Sequence, residues 1–496
     1  MSTLLKLVTP DVETLCGVVG GTAEYIGNFD HTVTVKGLAT SSSEADKDCV
    51  FCAIKGSRVD GADFITDAVG RGACCVITTH LPDIARTCPE PFCAIIVDDV
   101  IEAIGRFASW YRDHSKAKFV AVTGSVGKTT TKEMIAAVAS AAFKTHKTKG
   151  NYNNELGLPL TIFELSPDDE VSVLEMGMSN LGEIEHMSLI ARPDIAIVTN
   201  IGTSHLASLG TRENICRAKL EVCAGMKEDG VVILNADEPL LCQGAKRLNV
   251  DVRYMSIVNR RGDYRALNMR TTADGLIFDM IYNNKAVTNV EIMVHGKHNV
   301  YNALGAYAVG TLLGMDDFLI RRGLLSFVGA EMRQSIYELG DITVIDDCYN
   351  ASPESMRAAL DVLASIAQRQ NKRPLALIGD MLELGDYSRL MHDQLGQYVA
   401  QTKVAKLFCY GRMSDVVAEA AIKRGLRAEN VCVCLDTRDP QTMANMILDV
   451  ISDGDVLLVK ASRAVHAELV IECLRKKLAR NKHQKSNPTA NGRIVK

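Results

Sequence analysis

The chain lacks an excess of basic charge. Its 55 Lys and Arg residues are outnumbered by 60 Asp and Glu residues, which gives a formal net charge of −5 at pH 7. Nucleic-acid-binding proteins need a broad basic surface, so we expect no nucleic acid among the partners. The one dense basic stretch runs from Arg475 to Lys485 and leads into a Ser-Asn-Pro sequence. It predicts a basic, flexible tail over residues 481–496.

Long apolar runs are also missing. No uninterrupted apolar segment reaches the roughly 18 residues that a membrane-spanning helix needs. The N-terminus lacks the charged region and apolar stretch that mark a secretory signal peptide. The sequence therefore predicts a cytoplasmic protein that makes no contact with a membrane.

Cysteine spacing gives no sign of a disulfide framework. The fifteen cysteines are sparse in 496 residues, and most lie inside apolar runs, where cysteine behaves as a small hydrophobic residue. Cys49 and Cys52 have the spacing of half a zinc site, but no second pair with matching spacing follows. We interpret this segment as a strand.

The sequence does contain three regions with different patterns. A chain of 496 residues, 47% hydrophobic and 23% charged, is expected to form about three globular domains. Residues 1–115 hold short apolar runs between turn signals and predict a small α/β domain. Residues 116–328 and 329–480 alternate apolar strands with helical patterns, which predicts mostly parallel sheets. The predicted fold class is α/β, with a central P-loop-type domain and a C-terminal, doubly wound Rossmann-like domain.

The strand predictions are specific. The predicted strands of the central region are 119–123, 171–176, 194–200 and 231–235. Residues 251–294 predict a small antiparallel addition, and residues 299–313 predict a helix. The predicted strands of the C-terminal region are 342–346, 375–379, 407–411, 431–435 and 456–460.

Residues 123–130, Thr-Gly-Ser-Val-Gly-Lys-Thr-Thr, follow an apolar strand and open a helical pattern. In such a phosphate loop, glycines let backbone N–H groups approach phosphate oxygens, and the helix N-terminus favours negative charge. Lys128 is expected to reach the β- and γ-phosphates and Thr129 to ligate Mg²⁺. Two residues separate the glycines where the general pattern has four. The residues predicted to bind ATP here are Gly124, Ser125, Val126, Gly127, Lys128, Thr129 and Thr130.

Two further polar side chains follow other predicted strands. Glu175 ends the strand 171–176, and His205 comes shortly after the strand 194–200. Ligands bind beyond the carboxyl ends of parallel strands, so both side chains are expected near the phosphate loop, where they are suited to hold Mg²⁺. Lys219 lies in a helical stretch that Thr211 is expected to cap. Its pattern alone is that of a surface lysine paired with Glu221 or a neighbour.

Seven ordered stretches resemble the Mur ligase superfamily over nearly the whole chain. They are residues 123–131, 174–178, 199–205, 218–221, 296–302, 346–350 and 458–463. Residues 150–159 and 379–385 are most similar to the branch that adds D-alanyl-D-alanine. The Asp-Asn-Pro-Arg-type motif that is usual in the branch adding the third amino acid does not occur in the last region.

The resemblance implies an ATP-dependent amide ligase of peptidoglycan biosynthesis, and so of cell wall biogenesis, cell shape and cell division. It would join D-alanyl-D-alanine to UDP-MurNAc-tripeptide through an acyl-phosphate, giving UDP-MurNAc-pentapeptide, ADP and phosphate, and would act as a monomer. Two alternatives stay open. One is a related ligase for another amino acid or peptide, including the folylpolyglutamate type. The other is a nucleotide-dependent switch without ligase chemistry.

The resemblance also implies roles for individual residues. Asn302, Arg333 and Asp347 would contact ATP, the last two after domain closure. Two Mg²⁺ sites would use Thr129, Glu175, His205 and a carbamylated Lys219. The implied catalytic residues are Lys128, Glu175, His205, Lys219, Arg333 and Asp347. The implied substrate-binding residues are Ser42, Asn151, Asn153, Asn154, Tyr349, Asn350, Lys460, Ser462 and Arg463.

Several positions depart from the family pattern. Residues 41–43, Ser-Ser-Ser, stand where Asp-Ser-Arg is usual, and Ala62 stands where histidine is usual. In the family these positions serve the uridine end of the substrate, so the sequence does not decide which residues contact that end. It also does not decide whether the third residue of the tripeptide is diaminopimelate or lysine. Ala461 stands in place of a usual glycine.

Overall fold

The computed structural model describes residues 3–485, with side chains described as far as residue 478. Its strands are β1 (Thr3–Leu4), β2 (Thr22–Ile26), β3 (Gly37–Ala39), β4 (Cys49–Cys52), β5 (Cys75–Thr78), β6 (Phe92–Ile96), β7 (Lys118–Thr123), β8 (Thr145–Lys147), β9 (Val171–Glu175), β10 (Ile195–Val198), β11 (Val231–Asn235), β12 (Asp251–Ser256), β13 (Tyr264–Thr271), β14 (Leu276–Tyr282), β15 (Lys285–Ile292), β16 (Ser335–Leu339), β17 (Ile342–Asp347), β18 (Pro374–Gly379), β19 (Lys406–Tyr410), β20 (Val431–Cys434) and β21 (Val456–Lys460).

The α-helices cover the faces of the sheets or connect their strands. They are α1 (Val12–Val19), α2 (Ile65–Gly70), α3 (Asp83–Arg86), α4 (Val100–Arg112), α5 (Lys128–Ala139), α6 (Gly157–Phe163), α7 (Glu183–Ala191), α8 (Leu206–Leu209), α9 (Arg212–Leu220), α10 (Pro239–Ala245), α11 (Lys297–Leu312), α12 (Asp317–Ser326), α13 (Pro353–Gln370), α14 (Ser388–Gln401), α15 (Ser414–Lys423), α16 (Pro440–Leu448) and α17 (Glu468–Lys485).

The first sheet has the strand order β1-β3-β4-β5-β6-β2. Strands β3 to β6 are parallel. The two edge strands are antiparallel to their neighbours, β1 to β3 and β2 to β6. Cys49 and Cys52 are fully buried in β4, so the segment is the strand that its sequence predicts.

Helix α4 joins the first sheet to the second. The Tyr111 hydroxyl accepts hydrogen bonds from the N–H groups of Lys6 and Leu7, at 2.8 and 2.9 Å. The adjacent Arg112 guanidinium donates to the carbonyl of Ala191 in the central region at 2.9 Å. The apolar residues of both regions form one continuous core around this helix.

The second sheet has the strand order β15-β14-β13-β12-β11-β10-β7-β9-β8. Strand β7, which precedes the phosphate loop, lies between β10 and β9 and is parallel to both. Its residues after Lys118 are buried, as expected where helices cover both faces of a parallel sheet. Residues 251–294 divide in two: β12 extends the parallel set, and β13 to β15 form the antiparallel addition.

The third sheet has the strand order β16-β17-β21-β18-β19-β20. All its pairs are parallel except β16 with β17. The five strands predicted for this region are present with ends shifted by at most one residue. The three sheets confirm the predicted α/β fold class.

Helix α17 extends to Lys485, so it includes residues 481–485 of the predicted tail. Residues 486–496 of that tail lie outside the described residues. Within residues 3–485, every helix is too short or too polar to cross a lipid bilayer.

Candidate active site at the phosphate loop

The phosphate loop has a backbone that depends on its two glycines. Gly124 has φ of +146°, and a Cβ atom there would lie 1.9 Å from Thr199 Oγ1. Gly127 has φ of +86° and directly precedes α5. A side chain at Gly124 would clash, and left-handed φ values favour glycine at both positions. The loop therefore turns from β7 into α5 as the sequence predicts.

Residues that follow β10 form hydrogen bonds with the phosphate loop. The Thr199 hydroxyl donates to the Val126 carbonyl at 2.6 Å. Asn200 accepts the N–H of Val126 at its side chain (2.9 Å) and the N–H of Ser125 at its carbonyl (3.2 Å). These two amides, predicted to face phosphate, are thus engaged within the protein. The backbone N–H groups of the first turn of α5 have no acceptor inside the helix and are the donors left for an anion.

Lys128 is half-buried at the start of α5. Its ammonium donates to the Gly124 carbonyl at 2.9 Å. Burial lowers the pKa of Lys128, while the negative charge of Glu175 opposes that shift. The ammonium is therefore folded back over its own loop and placed close to the carboxylate at the end of β9.

Glu175 is buried, with 2% of its surface exposed. Its Oε1 accepts a hydrogen bond from Asn153 Nδ2 at 2.9 Å. Its Oε2 is buried and has no hydrogen-bond partner among the described residues. A buried carboxylate oxygen without a donor is costly, so this oxygen is suited to a cation that approaches from the loop.

Lys219 is completely buried. Its Nζ has no hydrogen-bond partner within the described part of the chain. Burial and the positive charge of Lys128 lower the pKa of Lys219 well below its ordinary value. The interpretation of its local pattern as a surface lysine is therefore wrong, although Thr211 caps its helix as predicted, accepting from the N–H of Asn214 at 3.2 Å.

His205 lies next to the same cationic groups. Burial, Lys219 and Lys128 lower the pKa of His205 to about 4. The imidazole is thus uncharged at neutral pH, which is the form that binds metal ions. Its Nδ1 lies 3.3 Å from a carboxylate oxygen of Glu383, which belongs to the C-terminal region.

Asn302 lies on α11 behind the loop. Its Oδ1 accepts a hydrogen bond from the Thr131 hydroxyl at 3.0 Å, and its Nδ2 donates to Asn299 Oδ1 at 2.8 Å. The resemblance implies that Asn302 contacts adenine. In this structure Oδ1 joins α11 to α5 through Thr131, and Nδ2 is bonded within α11.

The implied C-terminal residues are mostly engaged with one another. The Arg333 guanidinium stacks on the Tyr349 ring at 4.1 Å. Asp347 and Lys460, both buried, form an ion pair of 2.6 Å, and Lys460 also donates to the Asn350 carbonyl at 2.9 Å. Arg333 contributes to the electrostatic environment of Lys128, so this cluster lies near the loop.

The remaining implied substrate residues lie in three places. Ser462 accepts the N–H of Leu382 at 2.9 Å, and Arg463 lies 3.5 Å from Glu468. Residues 151–154 follow β8. The Asn154 side chain accepts the N–H of Gly157, the first residue of α6, at 2.8 Å, and Asn151 is exposed. Ser42 begins a short 3₁₀ turn after β3 in the first sheet. No contact recorded within residues 3–478 links Ser42 to the phosphate loop.

Two acidic residues of the C-terminal region contact the segment 203–205 and were missed in the sequence. Glu354, at the start of α13, accepts a hydrogen bond from the Thr203 hydroxyl at 3.1 Å, and Glu383 contacts His205. Glu383 lies inside the stretch 379–385 that carried the resemblance, and its position there was the available signal. Glu354 had no comparable signal.

Comparison with known proteins shows matches along most of the chain. Residues 34–110 match the Mur ligase family catalytic domain, residues 122–310 the Mur ligase middle domain, and residues 332–463 the Mur ligase glutamate ligase domain. A Bacillus subtilis protein named UDP-N-acetylmuramoyl-tripeptide–D-alanyl-D-alanine ligase is 35% identical over 94% of this chain and 99% of its own length. This chain belongs to the Mur ligase family. It is therefore an ATP-dependent ligase.

Solved Mur ligase structures agree over the whole architecture. MurF from Acinetobacter baumannii superposes with a TM-score of 0.84 at 29% identity, covering 95% of this chain and all of that one. MurF from Thermotoga maritima, solved in complex with ADP, superposes with a TM-score of 0.78 at 29% identity, covering 90% of this chain and 98% of that one. The three-sheet arrangement of this Mur ligase is thus that of MurF.

Proposed function

We propose that this Mur ligase joins D-alanyl-D-alanine to UDP-MurNAc-tripeptide in the cytoplasm, giving UDP-MurNAc-pentapeptide, ADP and phosphate. The observation that carries the proposal is the pair Glu175 and Lys219. Both place buried polar atoms without partners among the described residues beside the phosphate-loop helix. The substrates follow from the name of the Bacillus subtilis relative.

Each region then has a proposed task. Residues 1–115 bind the uridine end of the substrate, with Ser42 among its contacts. Residues 116–328 bind ATP, and residues 329–480 bind the dipeptide. Residues 151–154, which bring Asn153 to Glu175, face the sugar–peptide.

The triphosphate is held by α5 and its loop. The N–H groups of the first helical turn and the helix dipole bind phosphate oxygens. Lys128, already close to the loop through Gly124, moves its ammonium onto the γ-phosphate. Thr129 supplies a hydroxyl at the second position of the helix.

The residues around the loop fit Mg²⁺. Thr129, Glu175 and His205 offer a hydroxyl, a free carboxylate oxygen and an uncharged imidazole. Although no group of three or more His, Cys, Asp and Glu side chains is assembled in the described part of the chain, Mg²⁺ takes few protein ligands and completes its shell with water and substrate phosphates. When bound, the metal would neutralise charge that develops on the phosphoryl oxygens.

Lys219 is suited to carbamylation. Its lowered pKa favours the uncharged amine, whose nitrogen forms a bond with the carbon of CO₂ as one proton is released. The product is an anionic group with two oxygen atoms in place of a buried amine. That anion is attracted by the ammonium of Lys128 and would add a ligand suited to a second Mg²⁺.

The reaction proceeds in two transfers. A carboxylate oxygen of the tripeptide attacks the γ-phosphorus, and the bond to the ADP oxygen breaks, which leaves an acyl-phosphate. The uncharged amine of the dipeptide then attacks the acyl carbon, phosphate leaves, and the nitrogen loses a proton. Arg333 and Asp347 close over ATP to exclude water. Tyr349, Asn350, Lys460, Ser462 and Arg463 border the dipeptide side.

Substrate-dependent release of ADP tests this proposal. The purified chain is assayed with ATP, Mg²⁺, UDP-MurNAc-tripeptide carrying either lysine or diaminopimelate, and a panel of dipeptides and single amino acids. We expect ADP release only when a tripeptide and D-alanyl-D-alanine are both present. Release driven by a single amino acid would instead indicate another ligase, and release that ignores both substrates would indicate a switch.

A further inference from the structure

A second lysine of the phosphate-loop helix is buried and takes no part in the site described above. Lys132 lies one helical turn after Lys128 and is 1% exposed. Its ammonium donates to the Thr148 carbonyl at 2.7 Å and lies 2.8 Å from a carboxylate oxygen of Glu133. Burying an ammonium is costly unless it is paired and hydrogen-bonded, so these contacts fix its position.

Thr148 connects Lys132 to the metal side of the site. It directly follows β8 and is 1% exposed. Its N–H donates to the Val173 carbonyl at 3.0 Å, and its hydroxyl oxygen accepts the backbone N–H of Glu175 at 3.0 Å. Two successive hydrogen bonds therefore link the Lys132 ammonium to the backbone of Glu175.

The chain after Thr148 holds Glu175 a second time. Asn153 donates from Nδ2 to Glu175 Oε1 at 2.9 Å, and its carbonyl accepts the N–H of Gly177 at 2.7 Å. The segment 148–153 thus contacts the backbone of Glu175 at one end and its carboxylate at the other. Lys132 anchors this segment to α5.

The counter-ion of Lys132 is arranged to remain charged. Glu133 also pairs with Lys147, the last residue of β8. Burial works to raise the pKa of Glu133, but its hydrogen bonds with Lys132 and Lys147 outweigh that effect, so the pKa is lowered. The two lysines differ in one respect: only Lys132 also contacts Thr148 among the contacts described for them.

We propose that Lys132 is a positioning residue that places the Glu175 carboxylate where it would hold a metal ion beside the phosphate loop. This inference rests on the proposed role of Glu175 as a metal ligand. Substitution of a residue that hydrogen-bonds to a metal ligand and orients it lowers metal affinity or activity by about 10- to 100-fold. A lysine that merely tied α5 to β8 would affect stability without changing metal binding.

The test measures metal binding as well as turnover. Mn²⁺ is titrated into the full chain in the presence of ADP and followed by electron paramagnetic resonance, and the Mg²⁺ dependence of ADP release is measured in parallel. Lys132→Met is expected to weaken Mn²⁺ binding about tenfold, and Lys132→Arg to recover part of the loss. Thr148→Val, which removes the acceptor for the Glu175 N–H, is expected to act in the same direction. In the double variant Lys132→Met with Thr148→Val, the loss of Mn²⁺ binding free energy should be smaller than the sum of the two single losses.

Two controls separate the possible outcomes. Lys147→Met removes the other cation on Glu133 but leaves Thr148 in place, so its Mn²⁺ binding should stay within about twofold of the parent chain. Glu175→Gln should weaken binding at least as much as Lys132→Met. If Glu175→Gln leaves Mn²⁺ binding unchanged, the proposed metal site is wrong and this inference fails with it.

If Glu175→Gln weakens binding and Lys132→Met lowers only the melting temperature, the positioning role alone is overturned. Should Lys132→Met fail to fold, Lys132→Arg and Thr148→Val decide between the same two results. Unchanged Mn²⁺ binding in both would overturn the inference.

Discussion

The two halves of the candidate site treat their buried polar groups in opposite ways. In the central half, Glu175 Oε2 and Lys219 Nζ are buried without a hydrogen-bond partner among the described residues. In the C-terminal half, Asp347 and Lys460 are paired at 2.6 Å, and the Ser462 hydroxyl accepts the N–H of Leu382 at 2.9 Å.

This difference separates binding groups from supporting groups. Each unpartnered buried polar group costs about 1–3 kcal/mol of folding free energy, and such costs are common where a ligand completes the contacts. Partnered groups stabilise the fold directly. Substitutions of the unpartnered groups in the central half are therefore expected to reduce turnover with little loss of stability, and those of the paired groups in the C-terminal half to reduce stability first.

The largest expected effect comes from Lys128→Ala. Without the ammonium, the charge on the transferring phosphoryl group loses a cation, and turnover should fall by roughly 10³-fold. The melting temperature should stay the same or rise slightly, because burial already disfavours the charged form of Lys128. ADP release and thermal denaturation measure the two effects. Near-normal ADP release would show that the phosphate-loop assignment is wrong.

A smaller loss is expected from Lys219→Ala, with a distinctive recovery. If a carbamate on Lys219 ligates a metal ion, its removal leaves space for a small carboxylate. Turnover should fall by about 10²-fold and rise again when formate or acetate is added. Lys423→Ala serves as the control, because Lys423 is exposed on α15 and its ion pair with the likewise exposed Glu419 is long, at 3.9 Å. Full activity of the Lys219 variant without added acid would remove Lys219 from the site.

Lys460→Met tests the C-terminal half. It leaves the buried Asp347 carboxylate without its cation, and breaking such a pair costs about 3–5 kcal/mol. Thermal denaturation should show a large drop, and the double change Asp347→Asn with Lys460→Met should recover part of it. The comparison between the halves would fail if Lys460→Met kept its stability and changed only the KM for the dipeptide.

The sequence predicts those parts of this arrangement that depend on local patterns. Buried strands are continuous apolar runs, and the phosphate loop shows its glycines and lysine between a strand and a helix. Glu175 could be placed at the sheet edge because the end of its strand was visible.

Contacts between distant segments were not predictable. Asn302 contacts the phosphate-loop helix α5 through Thr131, 171 residues away. The burial of Lys219 depends on how α9 packs against α7, α8 and α10, whereas its local pattern is that of an exposed residue. The proposed role of Lys132 likewise depends on its contact with Thr148 and on the contact of Thr148 with Glu175. The positions of Thr148 and Glu175 follow from strand pairing.

The smallest expected effect compares two serines of the C-terminal region. Ser462→Ala removes the acceptor for the Leu382 N–H and should cost about 1 kcal/mol of unfolding free energy. Ser414, also buried, has a hydroxyl without a hydrogen-bond partner among the described residues, so Ser414→Ala should be neutral or slightly stabilising. Urea denaturation of both variants measures the difference. Equal losses would show that the Ser414 hydroxyl stabilises the fold as much as that of Ser462, and the contrast between partnered and unpartnered groups would fail.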